Sequence, residues 1–150
     1  MCSVSQVVKQ CKYVWLKGIS DMHKQLIANK WQCPDGTILH SKAGWDFVEH
    51  KDKSGDYFAI DGGNGYTRIL GDITKLKSLC VYEDDSHEII RENFTWRSYG
   101  MDGKQPGHYI LLKDITDAHL AAILDTQKHI VGTYVEKILQ DEVAYRKNLT

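Results

Sequence analysis

This sequence of 150 residues has few cysteines, and their spacing fits no common metal motif. The four are Cys2, Cys11, Cys33 and Cys80, and no two of them form a C-x-x-C pair, so the usual zinc-site spacing is absent. Residues 1–17 carry lysines within their apolar pattern, which is unlike a secretory signal peptide. We therefore expect a cytoplasmic protein with reduced thiols, no resident metal and no cofactor.

The sequence also lacks a long apolar run and an excess of either charge. No stretch approaches the roughly 20 apolar residues that a membrane-spanning helix needs, so we expect no membrane partner. Nineteen basic and twenty acidic side chains give a net charge of -1, which argues against a nucleic-acid polymer as partner. The length and the 42% hydrophobic content predict one domain, residues 1–150, with a sizeable core.

Local catalytic motifs are absent as well. The sequence contains no G-x-S-x-G, no phosphate-binding P-loop and no paired H-x-[ST] motif. The segment His87-Glu88-Ile89-Ile90-Arg91 begins like a zinc-protease helix, but Arg91 stands where the second histidine ligand belongs. Seven histidines are scattered without ligand spacing, so a dispersed metal site stays open. We expect a binding protein and no enzyme; a hydrolase with scattered catalytic residues is the alternative.

What the sequence does contain is a β-rich middle between two helical ends. Turn signals at 34–36, 54–56 and 62–65 separate short runs of β-forming residues. The predicted strands are 37–40, 45–48, 57–60, 66–70 and 79–82. Because hairpin turns separate them, we expect an antiparallel meander within residues 31–85. The fold class predicted is α+β, with a helical N-terminal segment over residues 1–30 and mainly helical residues 86–150.

Helical periodicity supports the prediction of helices at the two ends of the chain. Apolar residues recur at steps of three and four from Val4 to Trp15, and Met22, Leu26 and Ile27 suggest a second short helix. Ser86 and Thr116 are predicted N-caps of later helices. A short strand is expected at 109–112, and after a break near Gly132 a final amphipathic helix carries Tyr134, Val135, Ile138, Leu139 and Val143.

The segment 94–106 is the main candidate for a binding site. It combines Phe94, Trp96 and Tyr99 with Arg97 and Lys104. Aromatic rings offer a stacking face to a base, and a guanidinium suits a diphosphate. The alternative is that the end of a helix buries its aromatic residues. Neighbouring Trp96 and Arg97 cannot both point inward, so we expect this pair to be partly exposed.

A second candidate follows the glycine-rich stretch 62–65. Consecutive glycines either form a tight hairpin turn or direct N–H groups at a phosphate, and the turn is the interpretation favoured here. The turn leads to Tyr66 and Arg68, two positions apart and so on one face of the predicted strand. A ring beside a guanidinium repeats the chemistry of segment 94–106. Arg91 and Arg146, on predicted helices, are expected to form surface salt bridges.

Three motifs together resemble a family of small phage proteins, the first type of Thoeris anti-defence protein. They are the order Asp61-Gly62-Gly63-Asn64-Gly65-Tyr66-x-Arg68, the order Asp85-x-His87-Glu88-x-Ile90-Arg91, and the order Phe94-x-Trp96-x-x-Tyr99-Gly100-x-Asp102-Gly103-x-x-Pro106. The order from Leu112-Lys113-Asp114 through His119-Leu120-x-x-Ile123-Leu124 to Glu142-x-x-Tyr145-Arg146 is similar too. The resemblance covers residues 31–147.

This resemblance implies a nucleotide sponge that sequesters cyclic ADP-ribose isomers, made by bacterial TIR-domain enzymes, without cleaving them. It also implies an antiparallel sheet followed by helices, and homo-oligomers: dimers that can group into hexamers, some with separate sites for cyclic oligonucleotides. It places the protein in the cytoplasm of an infected bacterium. Phe94 is then the base-stacking ring and Arg68 a phosphate contact. Further ligand-binding residues expected are Tyr66, Arg97, Tyr99, Lys104, His40 and His119, where His119 stands in for an arginine near the late helix.

Two other functions remain open at this point. One is a cyclic-nucleotide phosphodiesterase or related hydrolase, which would release a linear product. The other is a protein-binding module that inhibits a host factor through exposed aromatic side chains.

Overall fold

A computed structural model describes residues 24–150, which divide into two units between Asp84 and Asp85. The first unit consists of strands, and the second of a hairpin with helices. The predicted α+β class is therefore confirmed. The division falls close to residue 85, where we expected the change from sheet to helices. That both units form one domain stays a prediction.

The first unit, as far as the structure describes it, contains seven strands and one short 3-10 turn at Ile73–Lys75. The strands are β1 (Leu26–Gln32), β2 (Ile38–Ser41), β3 (Val48–Lys51), β4 (Tyr57–Asp61), β5 (Arg68–Leu70), β6 (Lys77–Ser78) and β7 (Val81–Tyr82). Strand β1 pairs with β2, β6 and β7, and a separate sheet has the order β3-β4-β5; all the pairs are antiparallel. The expected antiparallel meander is present as β3-β4-β5, and β1 forms a second sheet with β2, β6 and β7.

Side chains from both sheets share one apolar core. It is formed by Cys33, Leu39, Phe58, Ile60, Ile69 and Leu76. Strand β4 contributes the most to it, because it supplies both Phe58 and Ile60, which are fully buried. Removing these side chains from water contributes about 25 cal/mol for each Å² of apolar surface buried, which stabilises the shared core of the two sheets.

The N-terminal prediction is wrong where the structure tests it. Leu26 and Ile27, expected on the inner face of a helix, lie in strand β1 and are buried. The cause is the tertiary structure. Strand β1 has three antiparallel partners, and the hydrogen bonds and burial that they provide outweigh a weak helical pattern in the sequence. The predicted helix from Val4 to Trp15, and Met22, lie outside the described residues.

The second unit begins with a short helix and a hairpin. Its elements are α1 (His87–Arg91), β8 (Thr95–Ser98), β9 (His108–Leu111), α2 (Asp117–Thr126) and α3 (Tyr134–Asn148), with 3-10 turns at Leu112–Asp114 and Lys128–Ile130. Strands β8 and β9 pair in antiparallel register. The aromatic segment 94–106, expected at the end of a helix, therefore consists of strand β8 and the loop that follows it. Pairing with β9, which begins ten positions after β8 ends, decides this.

The helix signals were more reliable in this unit. Thr116 caps α2, because its Oγ1 accepts a hydrogen bond from the backbone N–H of His119 at 3.2 Å. Ser86 occupies the N-cap position of α1 without a side-chain hydrogen bond to the helix. Gly132, at φ +76°, stands in the predicted break before α3, which buries Ile138 and Leu139. No helix within residues 24–150 combines the length and apolarity needed to span a bilayer.

Candidate ligand-binding site

A cavity of about 1130 Å³ lies in the second unit, between the β8–β9 hairpin, the connection that follows β8, and helix α2. Six residues with binding chemistry are among those that line it: Trp96, Arg97, Tyr99, His108, His119 and His129. Ile110, Ala122 and Ile123 add apolar surface. Such a mixture of apolar wall and few polar groups is typical of small-molecule sites.

The hairpin register explains how these groups are arranged. Trp96 stands opposite Ile110, and Arg97 stands opposite Tyr109. Successive side chains of a strand point to opposite faces, so Trp96 and Arg97 lie on different faces of the hairpin, as the expectation for this pair required. Both are half-buried. The cavity follows the Trp96 face, because Ser98 and Ile110 line it and Tyr109, opposite Arg97, does not; Arg97 is nevertheless among the lining residues.

Arg97 packs against two tyrosine rings. Its Cζ atom lies 5.4 Å from the centroid of the Tyr99 ring and 5.8 Å from that of the Tyr109 ring. Both distances fall within the range of cation–π attraction, which holds a guanidinium through its face. The hydrogen-bonding edge of a guanidinium is planar and suits the oxygen atoms of a phosphate. Arg97 and Tyr99, two predicted site residues, are thus brought together.

Lys104 lies in the exposed connection between β8 and β9, part of which lines the cavity. Its backbone N–H donates to Oδ1 of Asp102 at 3.0 Å, and the N–H of Gln105 donates to the carbonyl of Tyr99 at 2.9 Å. These bonds fold the connection into a defined loop. Lys104 is not among the residues that line the cavity; it stands in the loop beside it.

Phe94 does not fit the role of a base-stacking ring. Only 4% of this residue is exposed, so its faces contact protein atoms and are closed to a base. The Phe94 backbone anchors the hairpin: its N–H donates to the carbonyl of Ile90, and its carbonyl accepts from the N–H of Leu112. The position before a paired strand makes this ring part of the core. Trp96 and Tyr99 remain as the stacking candidates of this segment.

Three predicted site residues, His40, Tyr66 and Arg68, belong to the first unit. Arg68 forms an ion pair with Asp61: its Nε donates to Oδ1 at 3.0 Å, and its Nη2 donates to Oδ2. The β4–β5 register causes this pairing, because it sets Asp61 directly opposite Arg68. Tyr66 is about half exposed and precedes β5, so the expected shared strand face is not formed.

The glycine-rich stretch forms a turn that is stabilised by hydrogen bonds of its own N–H groups. Gly62 and Gly63 adopt φ values of +106° and +53°, which side chains resist. The N–H of Gly63 donates to Ser41 Oγ at 3.0 Å, and the N–H of Gly65 donates to the Gly62 carbonyl at 3.1 Å. These N–H groups are occupied within the fold. The geometry supports the turn and does not support a phosphate cradle.

A buried amide holds this turn in place. Asn29, which is fully buried, donates from Nδ2 to the carbonyls of Asp61 and Tyr66, at 3.1 and 3.3 Å. Its Oδ1 accepts from Nε1 of Trp31 and from Oγ1 of Thr67, at 3.1 and 3.2 Å. All the hydrogen-bonding capacity of the amide is used, which is the condition for burying it without a large penalty. Asn29 therefore joins β1 to the turn.

His40 is a weak partner for a phosphate. Burial, together with the positive charges of Lys42 and Lys30, lowers the pKa of this imidazole to about 4. The ring is consequently neutral near pH 7 and offers no positive charge to an anion.

The other arginines of the second unit surround one buried carboxylate, a feature that the sequence analysis missed. Glu142 is fully buried, and it accepts from Arg91 Nη2 at 2.8 Å, from Arg146 Nε at 2.9 Å and from His87 Nε2 at 2.7 Å. Burial raises the pKa of the Glu142 carboxyl, but the hydrogen bonds from Arg91, Arg146 and His87 outweigh it and lower that pKa to about 2. This cluster ties α1 to α3 and is structural.

A second cavity, of about 700 Å³, lies in the first unit. Its wall carries three carboxylates, Asp35, Asp52 and Asp56. Each is engaged: Asp35 with His50 at 2.8 Å, Asp52 with Ser54 Oγ at 2.8 Å, and Asp56 with Lys75 at 2.9 Å. The three carboxylates outnumber the two lysines of the wall, Lys53 and Lys75, and carboxylates repel a phosphate, so this cavity is a poor place for a nucleotide. Within residues 24–150 no three His, Cys, Asp or Glu side chains are grouped as metal ligands.

His108 and His129 are candidate site residues that sequence reasoning did not select. They lie 21 positions apart, and no local spacing connects them with His119. They share one cavity only because the hairpin, helix α2 and the 3-10 turn after α2 all border it. Comparison with known proteins adds no further guide: no family model matches the chain, and no curated protein or solved structure is similar to it.

Proposed function

We propose that this protein binds a cyclic ADP-ribose isomer in the cavity of the second unit and sequesters it without cleavage. A phage would use such a sponge in the cytoplasm of an infected bacterium, against immune signalling by TIR-domain enzymes. The observation that carries the proposal is the lining of one cavity, whose residues include one arginine and three histidines together with Trp96 and Tyr99. The motif resemblance supplies the identity of the ligand.

The chemistry of the wall suits this ligand class. Arg97 offers a planar donor to the diphosphate, and the imidazoles of His108, His119 and His129 offer further N–H donors. Trp96 and Tyr99 offer ring faces to an adenine. The volume of about 1130 Å³ is slightly above the usual range for small-molecule sites, which is about 300–1,000 Å³. Lys104, in the adjoining loop, adds positive charge at long range.

The energies expected of such contacts are sufficient for sequestration. Stacking of one base on a ring contributes about 1–3 kcal/mol. Each hydrogen bond between a charged donor and a phosphate adds about 1.5–3 kcal/mol. Several of these contacts in a preformed cavity approach the roughly 12 kcal/mol of nanomolar binding, after the cost of association is subtracted. Assembly into dimers or hexamers, which the resemblance implies, belongs to the same proposal.

A phosphodiesterase or related hydrolase is the second candidate. Three imidazoles in one wall favour it, because histidine is the side chain most often used as a general acid or base near neutral pH. A hydrolase of this type would open the cyclic ligand and release a linear product.

The two candidates are separated by the fate of the ligand. Purified protein is mixed with cyclic ADP-ribose isomers, the free ligand is quantified, and the mixture is then heated to unfold the protein. Sequestration predicts that the ligand disappears from solution and returns unchanged in mass and retention time. Recovery of a linear product supports the hydrolase.

A protein-binding inhibitor is the third possibility, and exposed aromatic side chains of the first unit are its basis. Trp45 is 73% exposed and Phe47 is 47% exposed, two residues apart in the β2–β3 connection. No depletion of any cyclic ADP-ribose isomer, together with capture of a host protein that Trp45→Ala abolishes, would replace the sponge by this function.

A further inference from the structure

Gly107 occupies a position where the backbone does not call for glycine. Eight glycines among residues 24–150 have positive φ, and Gly107 is not one of them. The residue is also exposed to solvent, so neither strain nor crowding by the core explains the lack of a side chain. The explanation lies in what a side chain would contact.

A Cβ atom at position 107 would collide with the guanidinium of Arg97. It would lie 2.4 Å from Nε, 2.9 Å from Nη2 and 3.0 Å from Cζ. Carbon and nitrogen atoms that are not bonded do not approach to 2.4 Å, so one of the two groups would have to move. The Arg97 side chain therefore lies across the backbone of Gly107.

The nature of the contacted atoms distinguishes Gly107 from Gly63 and Gly71. A Cβ at Gly63 would meet backbone atoms of Ala43 at 2.5 Å, and one at Gly71 would meet the carbonyl oxygen of Tyr57 at 2.5 Å. Substitution there strains the fold itself. At Gly107 the obstructing atoms belong to a long, flexible side chain that can rotate away. Alanine at position 107 is expected to displace Arg97 and to leave the fold intact.

Two tyrosine rings also contact this guanidinium. Together with the Gly107 backbone they form what we call the seat of Arg97. Tyr109, directly opposite Arg97 in the hairpin, and Tyr99 both lie within 6 Å of its Cζ. We propose that Gly107 is a positioning residue for anion binding: its bare backbone and the rings of Tyr99 and Tyr109 hold the guanidinium of Arg97, a residue that lines the cavity, in one orientation beside it. This inference rests on the proposed function for its ligand. A preoriented donor loses less freedom on binding, which strengthens binding without a new contact.

The test compares Gly107→Ala with Gly44→Ala. Gly44 also has an ordinary φ and is exposed, but a Cβ there meets nothing within 4 Å. Cyclic ADP-ribose isomers are the probes, and isothermal titration calorimetry measures their affinity. We expect Gly107→Ala to weaken binding about fivefold to tenfold, and Gly44→Ala to leave it unchanged. Both variants are expected to melt within a few degrees of the wild type.

A double-mutant cycle separates positioning from general damage. If Gly107 acts through Arg97, then Gly107→Ala has no further effect on affinity once Arg97 is alanine. Wild-type affinity in Gly107→Ala, or an equal loss in the presence and absence of Arg97, would overturn the inference.

An NMR measurement without ligand tests the seat independently of the proposed function. The Nε–Hε signal of Arg97, assigned by its loss in Arg97→Lys, is expected to shift in Gly107→Ala because the guanidinium leaves the ring currents of Tyr99 and Tyr109. An unshifted signal would refute the seat. If the wild type binds none of the probes, the proposed function fails, and this signal still decides whether the seat exists.

Discussion

The two tyrosine–arginine pairs of this protein look alike in sequence and differ in structure. Tyr66 and Arg68 follow a glycine turn, and Arg97 and Tyr99 precede one. In the first unit the residue opposite Arg68 is Asp61, and the two form an ion pair. In the second unit the residue opposite Arg97 is Tyr109, and the guanidinium packs on rings beside a cavity. The cross-strand neighbour, which lies elsewhere in the sequence, determines what each arginine does.

The same contrast extends to the other two arginines of the chain. Arg91 and Arg146 both donate to the buried Glu142. Three arginines thus serve the fold through carboxylates, while Arg97 lines a cavity. We therefore expect changes at the three carboxylate-bound arginines or their partners to alter stability, and changes at Arg97 to alter ligand binding.

The largest expected effect is on stability, in Glu142→Gln. The substitution keeps the shape of the side chain and removes the negative charge, which leaves two arginines facing a neutral buried amide. Breaking a buried ion pair from one side costs about 3–5 kcal/mol. We expect a loss of that size in the free energy of unfolding, measured by urea denaturation. Glu88→Gln, at an exposed position of α1, is the control and should change stability by less than about 0.5 kcal/mol.

A somewhat smaller effect is expected from acid. The pKa of Glu142 is about 2 in the folded protein, against an ordinary value of 4.5. A lowered pKa stabilises the fold above the unfolded value, and this contribution is lost as the pH falls from about 5 toward 2. The difference corresponds to about 3 kcal/mol. Urea denaturation at several pH values would measure it; in Glu142→Gln the acid dependence should be flatter by about this amount, and an unchanged slope would contradict the assignment.

The smallest expected effect is on ligand affinity. It is measured by comparing Arg97→Ala with Arg68→Ala, one arginine from each unit. Loss of one charged hydrogen bond to a phosphate costs about 1.5–3 kcal/mol, so Arg97→Ala should weaken binding of a cyclic ADP-ribose isomer by roughly 10- to 100-fold. Arg68→Ala should bind normally, because its guanidinium is engaged with Asp61 in the other unit. Calorimetric titration of both variants measures this. A loss of binding in Arg68→Ala alone would move the site to residues 24–84.

Much of the fold could be predicted from local patterns. Predicted strands overlap β2 to β5, β7 and β9, and Thr116 caps α2 as expected, because turns and caps depend on neighbouring residues. Strand β1 was missed because Ala28, Asn29 and Lys30 have weak strand propensity and are ordered by distant partners. The same reason explains β8, which its pairing with β9 defines.

The candidate site was predicted in part. The chemistry of Arg97 and Tyr99 is visible in the sequence, and His119 was expected as a contact. Phe94 was misassigned because an aromatic ring at a strand boundary carries no local sign of its burial. His108 and His129 were missed because they reach the cavity from a hairpin and from a 3-10 turn that lie apart in the chain, and no local spacing connects them.

The position of β1 has a consequence for synthesis of the chain. Its partners β6 and β7 are about fifty residues downstream. The sheet that contains β1 is therefore incomplete until Tyr82 has left the ribosome. The hairpin of the second unit needs only the residues between Thr95 and Leu111. A nascent chain arrested before β7 emerges would expose the unpaired backbone of β1 to chaperones and proteases, and translation beyond that strand would remove the exposure.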